Sequence, residues 1–201
     1  MVSIEKNITS VKQRIEQAAA QAGRDPNSIK LLAVSKTRPI NDIQVAFKAG
    51  LNALGENYVQ EATDKIKSLD TLGAEWHFIG PLQSNKTRPV TEHFDWVHSV
   101  DRIKIAKRLS EQRPEHLPPL NICLQINIDA EPSKSGALPE QAIDLALLVI
   151  QLPNVRLRGL MAIPRSCDTL EAQRQPFRAL RLLQEQINQQ LDNSQKLDTL
   201  S

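Results

Sequence analysis

The chain has 201 residues, of which 40% are hydrophobic and 24% charged, with a formal net charge of +2. That length allows one generous domain or two small ones, with enough apolar content for a real core. The balanced charge and the 3% aromatic content exclude a basic, aromatic-interleaved platform for nucleic acid. The longest apolar stretch, Ala142 to Leu152, contains Asp144 and is far shorter than the ~20 residues a membrane span requires. No basic-then-apolar leader opens the sequence, so neither secretion nor organelle import is indicated. Two cysteines, Cys123 and Cys167, with no C-x-x-C, suit a reducing cytoplasm.

In chain order, Ser3 can cap a helix whose apolar positions are Ile4, Ile8, Val11, Ile15 and Ala19, and Gly23 ends it. This helix precedes the first strand. Leu31-Leu32-Ala33-Val34 then runs without a polar break into Ser35-Lys36-Thr37-Arg38-Pro39. A short apolar run stopped by turn chemistry reads as a strand buried on both faces, as in parallel sheets. Lys36 is therefore expected at the carboxyl end of an interior strand, desolvated, with a lowered pKa that would suit a Schiff-base lysine. The plainer alternative is a lysine just beyond the strand, pointing into water.

A helix around Asn41 to Ala49 is closed by Gly50, and a second strand ends at Gly55-Glu56-Asn57. Val59, Ala62, Ile66 and Leu69 predict a helix with one buried face. Trp76 to Gly80 reads as a third strand, followed by the polar loop Pro81 to Lys86. Asp95 to Val100 is a weaker fourth strand, with Asp101 expected to cap a helix through Leu109. Asn121 to Ile128 is the fifth strand, and a strongly apolar helix spans Pro139 to Leu152. Arg158 to Pro164 is the sixth strand. Phe177, Leu180, Leu183, Ile187 and Leu191 mark the last helix, and Leu197 to Ser201 opens a seventh strand.

This alternation predicts a parallel α/β fold, and the absence of a linker favours a TIM-type (β/α)8 barrel in one domain, residues 1–201, over an open sheet. Such a barrel has eight strands and typically ~250 residues, so the last strand and helix are expected to be missing.

No G-x-G-x-x-G, Walker-type G-K-[ST], H-E-x-x-H or G-x-S-x-G is present, which excludes the corresponding nucleotide, zinc and α/β-hydrolase motifs. His93 and His98 read as surface or edge histidines. What remains is a set of polar strand-end residues: Lys36, Asn57, Asn127, Met161 and Ser201, with His77 inside the third strand. In a barrel these converge on one mouth. Singly, each is more often a cap or turn residue, and Asn57 could cap the helix after it. Together they supply one nucleophile, Lys36, and several hydrogen-bonding partners, which suits imine formation in an aldolase or a pyridoxal phosphate protein.

The strings Ala33-Val34-Ser35-Lys36-Thr37, Gly55 to Glu61, Trp76 to Lys86, Ser133-Lys134-Ser135-Gly136 and Gly159 to Pro164 resemble the pyridoxal phosphate homeostasis protein family, in order and along the whole chain. The resemblance implies a barrel like the N-terminal domain of alanine racemase, with pyridoxal 5'-phosphate held as a Schiff base on Lys36. Asn57, His77, Met161 and Ser201 are expected as further cofactor contacts. It also implies a cytoplasmic, monomeric binding protein in vitamin B6 balance, without strong turnover, whose partners are the cofactor and pyridoxal phosphate-dependent apoenzymes. The family continues past a serine matching Ser201 into a segment that helps hold the phosphate, so this polypeptide is expected to bind more weakly, and to be less stable, than a longer version. A racemase-like enzyme needs an acid and a base on opposite faces of its substrate. The single tyrosine, Tyr58, is read as a packing or surface residue. A Schiff-base aldolase and a ligand-free scaffold are the other classes.

Overall fold

The structure, a computed structural model, describes residues 3–201. Among them, no helix is long and apolar enough to cross a membrane. Strand order follows chain order from first to seventh, the β/α alternation of a TIM-type fold without its eighth repeat. The chain divides into two compact units, residues 1–77 and 78–201.

In the first unit, α1 (Ile4–Gln21) starts as expected: the Ser3 hydroxyl accepts the Lys6 N–H at 3.3 Å. It ends at Gly23, whose φ of 63° only glycine adopts cheaply. α1 packs on α2 (Ile40–Lys48), which buries Ile43 and is followed by Gly50 at φ 82°. β1 is only Ala33–Val34 and pairs in parallel with β2 (Ala53–Glu56). β2 is buried throughout, but Val34 is 50% exposed. The expectation of a first strand buried on both faces is therefore corrected. β1 lies at the end of the strand order with β2 as its one neighbour. α3 (Val59–Ser68) buries Ala62 together with Thr63 and Lys65, a more polar face than the spacing predicts. Its N-cap is Tyr58, with no side-chain cap bond, so Asn57 does not cap this helix. β3 spans Glu75–Phe78, and its first three residues end the unit.

The second unit holds a helix that the apolar spacing did not reveal, α4 (Thr87–His93). Its proline, Pro89, sits in the first turn, where the missing N–H has no helical partner to lose. Phe94 at its end meets Phe78 edge-on, 5.5 Å between centroids at 81°. The Arg113 guanidinium, buried, donates to the carbonyls of Thr91, Phe94 and Pro118 at 2.7, 2.9 and 2.8 Å, so the end of α4 is capped from a distance. β4 (Trp96–Val100) is buried at every position. α5 (Ile103–Gln112) begins after Arg102 without a side-chain cap. Asp101 instead pairs with Arg102 at 2.6 Å, which corrects the expected cap.

β5 (Leu120–Gln125) and β6 (Val155–Met161) form the long parallel pair of this unit, and β7 (Thr199–Leu200) pairs with β6 through Gly159↔Thr199 and Leu160↔Leu200. α6 (Ala142–Val149) lies against α5 and α7 (Leu170–Asn188). α7 starts well before its first expected apolar position, with the Thr169 hydroxyl accepting the Ala172 N–H at 3.2 Å. Leu180, Leu183 and Ile187 are buried, whereas Phe177, expected on the same face, is 54% exposed.

Candidate functional site

Lys36 follows β1 in a tight turn. The Arg38 N–H donates to the Ser35 carbonyl at 3.1 Å, and Thr37, third in the turn, has φ 60°. A positive φ there is what a type II turn demands and what a β-branched residue adopts at a cost. Lys36 itself is exposed. The desolvated lysine inferred from a buried strand is thus corrected to an amine open to solvent, because β1 is short and half uncovered.

The residues flanking Lys36 are held by charges. The Ser35 N–H donates to the Gly55 carbonyl at 2.9 Å, extending the ladder, and its hydroxyl donates to Glu56 Oε1 at 2.7 Å. The Lys65 ammonium donates to the Ser35 carbonyl, Glu56 Oε1 and Glu61 Oε1 at 2.6, 2.8 and 2.6 Å. Glu61 Oε1 also accepts the Thr37 N–H at 2.6 Å. The Glu61 carboxyl lies below the usual carboxylate range, chiefly through its bond from Lys65. Glu56 is fully buried and its Oε2 has no protein partner; nor has the buried Oδ1 of Asn57.

His77, inside β3, is buried, with Nε2 3.6 Å from Glu75 Oε1; Glu75 also pairs with Lys30 at 2.6 Å. Burial pushes the His77 imidazole down to about 4, against a partly opposing pull from Glu75. A histidine that resists protonation when folded destabilises the fold in acid. Between pH 6.5 and about 4 the unfolded chain holds a proton that the folded chain does not, so stability falls as pH is lowered through that window. Urea unfolding at pH steps across it is expected to show the fall in the wild type, and a smaller one in His77→Gln.

In the second unit, Met161 ends β6 and Ser201 follows β7, and the two are adjacent: the Ser201 N–H donates to the Leu160 carbonyl at 3.0 Å and the Ala162 N–H to the Ser201 carbonyl at 3.1 Å. The Met161 side chain is buried with Trp96 and Cys123, and its carbonyl accepts the Ile126 N–H at 2.8 Å. Ser201 Oγ lies 2.7 Å from His98 Nδ1. His98 is buried, not a surface or edge histidine. Asn127 organises the following loop: its amide donates to the carbonyls of Glu131 and Lys134 at 2.7 and 3.3 Å and accepts the Glu131 N–H at 3.0 Å.

One pair of expected residues, Met161 and Ser201, thus comes together in the second unit. The triad Glu56, Glu61 and Lys65 and the imidazole of His98 were not foreseen. Only Glu56 offered a signal, as a carboxylate closing an apolar strand. An apolar cavity of about 440 Å³ in the first unit is lined by residues including Ile8, Val34, Ser35, Ile43 and Leu54, and Lys36 does not line it. A smaller polar one of about 190 Å³ in the second is lined by Gln83, Ser99, Asp101, Arg102, Gln125 and Ser135, among others.

The alanine racemase N-terminal domain family matches residues 5–197. A Pseudomonas aeruginosa protein named pyridoxal phosphate homeostasis protein is 57% identical over 201 residues, covering 100% of this chain and 85% of that protein. One of the same name from Pasteurella multocida is 52% identical over 202 residues, with 100% and 86% covered. This chain belongs to the pyridoxal phosphate homeostasis protein family. Among solved structures, PipY of Synechococcus elongatus with PLP bound aligns at a TM-score of 0.78 and 35% identity, over 92% of this chain and 86% of that one. Alanine racemase from Corynebacterium glutamicum aligns at a TM-score of 0.68 with 15% identity, over 94% of this chain and 51% of that one, a likeness of fold alone.

Proposed function

We propose that this protein binds pyridoxal 5'-phosphate for vitamin B6 homeostasis and holds it as a Schiff base on Lys36. The observation that carries this reading is an exposed lysine on a turn pinned from both sides, in a chain 57% identical to a protein named for this role. The donor set fits the group. A carbonyl compound of this kind needs an accessible primary amine, and Lys36 offers one exposed to solvent. Asn57, just past β2, has a buried Oδ1 without a protein partner, which suits a donor on a ligand or a bound water. When bound, the cofactor supplies an aldehyde to the lysine and a phosphate to hydroxyl and N–H donors. His77, Met161 and Ser201 are further proposed contacts.

Binding without strong turnover is the form of this function we favour. Racemisation requires a second acid or base opposite the lysine. Tyr58 is 57% exposed at the start of α3, in keeping with a packing or surface role. Delivery to apoenzymes, a monomeric state and a cytoplasmic location belong to the same proposal, tested by transfer to an apoenzyme, by sedimentation and by fractionation.

The direct test is to add pyridoxal 5'-phosphate, record the visible spectrum, reduce with borohydride and map the modified peptide. The expected adduct is on Lys36 and is lost entirely in Lys36→Ala. An adduct that persists in Lys36→Ala, or none in the wild-type chain, would refute the reading.

A further inference from the structure

We propose that Glu61 and Lys65 are positioning residues for Lys36, clamping the residues on either side of it and so setting the direction in which its side chain leaves the backbone. The inference rests on the reading that Lys36 takes up pyridoxal phosphate.

The clamp on the carboxyl side is the Thr37 N–H on Glu61 Oε1 at 2.6 Å. Thr37 at φ 60° is a strained conformation that persists only where the surroundings hold it. The clamp on the amino side is the Ser35 carbonyl, which accepts the Lys65 ammonium at 2.6 Å. One ammonium joins the two, since Lys65 also donates to Glu61 Oε1 at 2.6 Å. Glu56 anchors the assembly to β2 by accepting from both Lys65 and the Ser35 hydroxyl.

A role in stability alone does not account for this arrangement. An apolar cluster of the same volume stabilises a buried site at least as well as an ion pair. It would leave the Thr37 N–H and the Ser35 carbonyl without their charged partners, and the turn free to relax from its strained φ. The charges act where apolar packing cannot, on the two peptide groups that bracket Lys36. An amine displaced by about an ångström from its reacting geometry loses on the order of a hundredfold in rate.

The test compares the full chain with Glu61→Ala, Glu61→Gln and, as an exposed control on the same helix, Asp64→Ala. Pyridoxal 5'-phosphate uptake is followed in the visible, and the Lys36 adduct by borohydride mapping. Glu61→Ala is expected to slow uptake on the order of tenfold or more, with its melting temperature lowered by a few degrees only. Glu61→Gln keeps a carbonyl oxygen for the Thr37 N–H and is expected to restore most of the rate. Wild-type uptake by Glu61→Ala, a glutamine variant as slow as the alanine one, or losses that merely follow melting temperature across all three variants would each overturn the proposal. Hydrogen exchange at the Thr37 amide reads the clamp without cofactor. Protection unchanged in Glu61→Ala overturns the positioning role, whereas absence of any wild-type adduct overturns the cofactor reading instead.

Discussion

Replacing Lys65 by methionine is expected to destabilise the protein by about 3–5 kcal/mol, the range for removing one partner of a buried ion pair. Methionine retains most of the apolar stem, so the loss reports the ammonium rather than a cavity. Lys65 is 6% exposed and Glu56 fully buried, so once the ammonium is gone no water replaces its bonds to the Glu56 carboxylate and the Ser35 carbonyl. The second variant that separates charge from packing is Lys65→Met with Glu56→Gln. Removing both charges relieves the orphaned carboxylate, and the double variant is expected to recover a substantial part of the loss. Urea unfolding of the two single variants and the double variant gives the coupling energy. A Lys65→Met chain as stable as the wild type would mean that this buried triad does not form.

Gly159→Ala is the second large effect. A methyl group built on Gly159 lies 1.8 Å from the Thr199 carbonyl oxygen and 2.6 Å from its carbon. Both are backbone atoms, so no side-chain rotation relieves the clash, and β7 must move away from β6. That separation breaks the bonds from Ser201 N to Leu160 O and from Ala162 N to Ser201 O. The expected loss is about 3 kcal/mol, at the upper end for overpacking, together with faster hydrogen exchange at the Ser201 and Ala162 amides. Gly73 is the control: its φ is +64° but nothing lies within 4 Å of an added Cβ, so Gly73→Ala carries only backbone strain, about 1–2 kcal/mol. Equal melting temperatures for the two variants would show that β7 is not tightly packed on β6.

The two effects share a cause that bears on the site. Each depends on an approach between segments far apart in sequence: Lys65 and Ser35 are 30 residues apart, and Gly159 meets Thr199 across a strand pair. Hydrophobic period and turn chemistry report on neighbours within a few residues, which is why such contacts leave no local signature. The same holds for His98, which local reading assigned to the surface or a sheet edge and the fold buries in β4 against Ser201. Helix α4 escaped notice for a different reason. Seven residues with a proline in the first turn present too short an apolar face to show a period.

Besides the family, the sequence by itself determined the order of the seven strands, and the start of α1 at Ser3 and its end at Gly23. All of these are set by local preferences: a hydroxyl that accepts an N–H three residues on, a glycine where φ turns positive, a period of side chains that must face a core. Only the tertiary structure decided that Lys36 is open to solvent rather than desolvated, and that its turn is held by Glu61 and Lys65. Burial is a property of what packs on an element, and a charge is tolerated inside a fold only where distant partners answer it. A lysine read as buried proved exposed, and Lys65, on which the sequence reading was silent, proved buried, because the partners that decide both lie elsewhere in the chain.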